Sequence, residues 1–69
     1  MKDWQQRIID EKNELDEKTI KLERFINENL SFDALTAQDQ ELLKAQLEIM
    51  KAYIAILIAR MHSLNIEEK

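Results

Sequence analysis

Not one of the 69 residues is glycine or proline. Two-residue β-hairpin turns and glycine-rich phosphate loops both need glycine's positive φ, so neither is available. A composition of 45% hydrophobic and 35% charged residues, rich in Leu, Ile, Ala, Glu, Lys and Gln, then suits long helices. Cysteine is absent and there is one histidine, which excludes disulfides, thiolate metal sites and a His-rich metal site within one chain. Carboxylate pairs such as Asp10 with Glu14 lie on a solvated helix face. The Glu-x-x-His pattern of di-iron bundles does not occur, and no Ser/His pair has a third partner. The expectation is a chain without catalytic residues, cofactor or metal, and with no more than one domain.

The pattern is helical from the start. Asp3 with Gln6 reads as an N-cap and its capping-box partner. Ile8, Leu15 and Leu22 recur at heptad spacing, with Trp4, Phe25 and Ile26 beside them. Glu14–Lys18 and Glu17–Lys21 are (i, i+4) pairs in the favourable order. The polar cluster Asn27, Asn29 and Ser31 ends this run, since Asn tolerates the left-handed conformation that closes a helix when Gly is missing. A first helix is expected over 4–28 and a connection over 29–36, with Phe32 and Leu35 folding back over the open end of the core. Thr36, with Asp39 three residues on, reads as the next N-cap, followed by a helix over 37–64 and a frayed tail over 65–69. Two such helices and a short connection make an all-α antiparallel hairpin spanning 1–69 as a single domain.

The second helix has more apolar surface than the first can cover. Leu43, Met50, Leu57 and Leu64 form one heptad row, and Leu47, Ile54 and Met61 its neighbour. Leu42, Ile49 and Ile56 form a third, beside Ala45, Ala52 and Ala59. A helix that is apolar nearly all round is buried on more than one side. The first helix carries a thin apolar stripe, interrupted by Glu11 and Lys18. A second face holding Leu42, Ala45, Ile49, Ala52, Ile56 and Ala59 is therefore expected to be an interface between copies. The alanines allow two backbones to approach closely, although Ala is also simply the best helix former. A homodimer forming a helical bundle is the smallest solution, and higher orders are compatible with the same pattern.

Asp39, Gln46, Tyr53 and Arg60 form a polar row between two apolar ones. Antiparallel pairing brings Arg60 and His62 close to the start of the first helix, where Trp4 and Arg7 sit. Aromatic faces stack on bases and Arg forks grip phosphates. Trp4, Arg7, Tyr53, Arg60 and His62 are therefore candidate ligand-binding residues for a nucleotide held between chains. The alternative is structural: Trp4 caps the core, Arg60 pairs with Glu11 of its own or a neighbouring chain, and Tyr53 fills the interface with its hydroxyl at the rim. His62 would then be an exposed residue favoured by the helix dipole.

A net charge of −4 argues against a DNA-binding role, which needs a dense basic footprint. The N-terminus lacks the apolar run of a signal peptide, and the longest apolar run, Ala52–Ala59, is far short of a membrane span. A cytoplasmic protein without membrane association is expected.

The spacing Trp4-x2-Arg7-x3-Glu11-x3-Leu15, then Phe32-x2-Leu35, then Leu42-Leu43-x2-Gln46-x3-Met50-x2-Tyr53-x2-Ile56-Leu57-x2-Arg60 resembles small helical-hairpin proteins of bacteriophages and prophages, including a crAss-like phage related group. The resemblance covers about residues 4–61. In architecture the chain is also similar to phage anti-CBASS sponge proteins, short helical hairpins that oligomerise and sequester cyclic oligonucleotide signals. No binding residue of those proteins is carried over. The resemblance implies a counter-defence factor in the host cytoplasm that sequesters a cyclic oligonucleotide or ADP-ribose type of signal. The alternative is a protein–protein interaction module acting on a host or phage protein through its helical surface.

Overall fold

A computed structural model describes residues 3–66. Among them the chain is all-helical: α1 is Asp3–Glu28, α2 the single turn Leu30–Asp33, and α3 Ala37–Ser63. The molecule measures 46 × 16 × 15 Å. At ~1.5 Å per residue, either long helix alone accounts for most of that length, so α1 and α3 lie side by side as an antiparallel hairpin.

The seam is built from the first two heptad rows of α3. Leu47, Leu57 and Met61 are buried there, and Leu43, Met50 and Ile54 are half-buried. From α1 come Ile8 and Ile9, both buried, with Leu15, Leu22 and Ile26 half-buried. Thr19 is the buried polar residue of the seam, and its hydroxyl donates to the Leu15 carbonyl at 2.7 Å. That bond removes the cost of an unsatisfied buried hydroxyl. On one edge, the Lys51 ammonium of α3 meets the Glu23 carboxylate of α1 at 3.0 Å.

The connection is tied by polar side chains doing what glycine does elsewhere. Asn29 has φ −101° and ψ 125°, and its side chain accepts from the Ser31 N–H, which makes it the N-cap of α2. Asn29 is thus extended, and the expected left-handed helix stop in this region is absent; α2 instead starts one residue after α1 ends. Phe32 is buried and stands edge-on to Phe25 at 6.1 Å. Gln40 donates to the carbonyls of Phe32 (3.0 Å) and Leu35 (3.3 Å), and Thr36 Oγ1 accepts from the Asp39 N–H at 3.1 Å. Side chains of the turn thus satisfy the Ser31 and Asp39 N–H groups and the Phe32 and Leu35 carbonyls.

The left-handed residue lies at the other end of the molecule. Asn65 has φ 55°. The Ile66 N–H donates to Met61 O at 2.8 Å and the Asn65 N–H to His62 O at 3.2 Å. That is a Schellman closure with Asn in the position glycine usually takes. Its apolar partner follows, for Ile66 is buried in a cluster with Met61, Ile8 and Ile9. The expected fraying from residue 65 is thereby corrected for Asn65 and Ile66, while residues 67–69 lie outside the described residues.

Two expectations at the start of α1 also change. Asp3 is already helical, and the Gln6 side-chain amide donates forward to Asp10 at 2.9 Å, where a capping box would have its oxygen accept from the Asp3 N–H. The (i, i+4) ion pair of α1 is Lys12–Asp16 at 3.0 Å, while Glu14–Lys18 and Glu17–Lys21 do not close. Exposed pairs contribute only a few tenths of a kcal/mol against side-chain entropy, so sequence order alone does not select which one forms.

Candidate functional site

The two long helices meet along two edges, and one of them carries the candidate residues. From α1 it receives the row Trp4, Glu11, Lys18 and Phe25, and from α3 the row Asp39, Gln46, Tyr53 and Arg60. The Tyr53 hydroxyl donates to the Glu11 carboxylate across this edge. That bond is the main reason the phenol is held above its ordinary pKa of 10.0. Partial burial and the Glu11 charge act in the same direction, and the nearby Arg60 charge opposes them. Across the opposite edge, the hydrogen bond to Glu23 and then its charge raise Lys51 above 10.5.

Glu11 is thus taken by Tyr53, and the alternative in which Arg60 pairs with Glu11 of its own chain is not what the fold adopts. The spacing explains this. Tyr53 lies directly across from Glu11, whereas Arg60 lies two helical turns further along α3, opposite the first turns of α1. Among the described residues, Arg60, Arg7 and Asp39 have no ion-pair partner for their side chains.

The five candidates are all on the surface. Trp4 is 44% exposed and Tyr53 40%, and Arg7, Arg60 and His62 are exposed. Trp4 therefore does not close the core; Ile66 does. Arg7 sits on the row next to Trp4, at the same end of the hairpin as Arg60. His62 departs from the group: residues two apart on a helix point nearly opposite ways, so it leaves α3 on the far side from Arg60. Its place in the last turn of α3 suits a cation at a helix C-terminus. A shallow, open hollow lies at the hairpin tip, lined by Arg24, Glu28, Asn29 and Leu30.

Next to the polar row, α3 presents an uncovered apolar surface. Leu42 is 59% exposed, Ile49 69% and Ile56 56%, and Ala45, Ala52 and Ala59 beside them are exposed too. The adjacent row of α1, Arg7, Glu14, Lys21 and Glu28, is wholly charged. Among the described residues no helix is long and apolar enough to cross a membrane.

The residues that sequence reasoning missed are those of the closures. Asn65 followed by Ile66, just past the last apolar heptad residue, is the sequence signature of a left-handed cap with an apolar anchor. Gln40 carries no such signal, because its partners are backbone carbonyls set by the turn.

Comparison with known proteins gives one positive result. The family model Sequestin matches residues 2–63, nearly the whole chain, and the chain belongs to that family. This agrees with the resemblance to small helical sponge-type proteins. No curated protein and no solved structure matches.

Proposed function

We propose that this member of the Sequestin family is a non-enzymatic sequestering protein, which binds a nucleotide signal at pockets formed between chains and holds it without chemical change. The ligand class is a cyclic oligonucleotide or an ADP-ribose derivative, and the setting is phage counter-defence in the host cytoplasm. The observation that carries the reading is the edge described above. Two aromatics, Trp4 and Tyr53, share it with Arg60 and lie beside Arg7, and both arginines are without an ion-pair partner among the described residues. Stacking surfaces together with uncommitted guanidinium groups are the recognition set of a nucleotide phosphate. Because this edge is open in one chain, the pocket requires a second copy.

The test is a melting screen of the protein against cyclic di- and trinucleotides and ADP-ribose derivatives. A ligand at about 100 times its Kd contributes about 2.7 kcal/mol, which in a chain of this size is a shift on the order of 10 °C. Arg60→Ala and Arg7→Ala are expected to abolish the shift. A flat response across the panel, with a specific host or phage protein retained in a pull-down, would instead favour the interaction module. Leu30, 83% exposed at the hairpin tip, is the residue that reading would use.

A further inference from the structure

The apolar surface of α3 has a companion feature in its charges. Asp39 and Arg60 belong to the same heptad row, 21 positions apart, and neither side chain has a partner among the described residues. At ~1.5 Å per residue they stand about 31 Å apart, near the two ends of α3. We infer that the uncovered face of α3 packs against the same face of a second copy in antiparallel register, so that Asp39 of each chain meets Arg60 of the other. The inference rests on the oligomeric reading above and fixes its geometry.

Three observations converge on this register. The first is size complementarity. With the two-fold axis beside residues 50 and 51, Leu42 faces the other chain's Ala59, Ala45 its Ile56, and Ile49 its Ala52. Every large side chain then meets a methyl group, and the two backbones pack closely along the whole face. The second is charge. A two-fold axis of this kind keeps the Asp39/Gln46/Tyr53/Arg60 row of both chains on one flank. There Asp39 lies within an Arg side chain's reach of Arg60, and Gln46 lies beside Tyr53. On the other flank Glu41 and His62 are brought together in the same way. A parallel pairing exchanges the flanks and would set Asp39 of one chain beside Glu41 of the other, and like charges across an interface oppose it. The third is area. The chain exposes 5344 Å², against about 4,500 Å² expected for a folded monomer of its mass. The excess is of the order of the ~800 Å² that each partner covers in a standard interface.

This arrangement puts the two α3 helices at the centre and each α1 on the outside, so that α3 is apolar on two nearly opposite sides. It also brings the other chain's α3 N-terminus to the end where Trp4, Arg7 and Arg60 sit. Asp39 occupies two of the five guanidinium donors of Arg60, leaving the remainder for a ligand.

Because the chain has no cysteine, single introduced cysteines report the register directly. Ala52→Cys lies close to the axis and is expected to cross-link to itself under mild oxidation. Ala59→Cys is expected not to, whereas an equimolar mixture of Ala59→Cys and Leu42→Cys is expected to form the mixed dimer. Charge reversal gives a second readout. Asp39→Arg and Arg60→Asp should each weaken association at least tenfold, and the double variant should recover most of it. Efficient self-cross-linking of Ala59→Cys, or a double variant no better than the singles, overturns the antiparallel register while leaving an oligomer standing. A monomer by light scattering at all concentrations overturns the register and the inter-chain pocket together.

Discussion

At the scale of single residues, Tyr53 decides what the site edge is made of. It is the one tyrosine of the chain, so its ionisation is visible without assignment. The bond to Glu11 raises its pKa in the folded state. A raised acid keeps its proton more tightly when folded, so the stabilisation is complete below the unfolded value of 10.0 and is lost as the pH climbs through the folded value. Lys51, raised by Glu23 from 10.5, adds a loss of the same sign in the same alkaline range. The tyrosinate absorption band should therefore titrate above pH 10 in the native protein and return towards the ordinary value in Glu11→Gln. A native midpoint at or below that of the Glu11→Gln variant would remove Glu11 as the partner. This bond was only half legible in the sequence. The heptad rows placed Tyr53, Arg60 and Glu11 on facing edges, but they did not say which α3 residue Glu11 would choose. That choice depends on the axial offset of the two helices, set by the length and shape of the turn.

At the scale of elements, the two ends of α3 illustrate what pattern reading captures and what it does not. Thr36 was recognisable because a cap is local: its hydroxyl and the Asp39 N–H are three residues apart. Asn29 reads in the sequence as part of a left-handed stop and Asn65 as part of a frayed tail, because the residue type alone suits an N-cap, a left-handed stop or a loop. The difference is decided by whether an apolar anchor follows. Leu30 after Asn29 is left exposed, while Ile66 after Asn65 reaches the core. Holding a β-branched residue at φ 55° costs about 1–2 kcal/mol, whereas glycine has no such penalty. Asn65→Val should accordingly lose that amount in chemical denaturation at fixed protein concentration, and Asn65→Gly should be neutral or slightly stabilising. Equal stability of the two variants would show that the cap conformation is not maintained in solution.

At the scale of the whole molecule, the hairpin is too long for its mass. Its radius of gyration is 15.0 Å, where a globular chain of this length has about 11 Å. A rod of two helices covers one face of each, and α3 has two faces to cover. The row Leu42, Ile49 and Ile56 was readable from the heptads because burial demand is a property of composition around a wheel. Ile56→Glu places a charge in that row, which is desolvated only if the row is covered. Light scattering of the wild type should show at least a dimer at micromolar concentration, and Ile56→Glu should dissociate or unfold it. An Ile56→Glu protein with unchanged mass and helicity would mean that the row is not an interface.

The antiparallel path also grades the seam by the chain length it encloses. Six residues separate Phe25 from Phe32, while fifty-seven separate Ile8 from Ile66. For a direct encounter in the unfolded chain, closing the longer loop costs about 2 kcal/mol more than closing the shorter. The hairpin therefore has a built-in order of closure, tip first, like a zip fastened from its stop. Its last teeth, Ile8, Ile9, Met61 and Ile66, form a cluster of buried residues where loop entropy opposes contact most. The left-handed Asn65 is the hook that keeps that end shut.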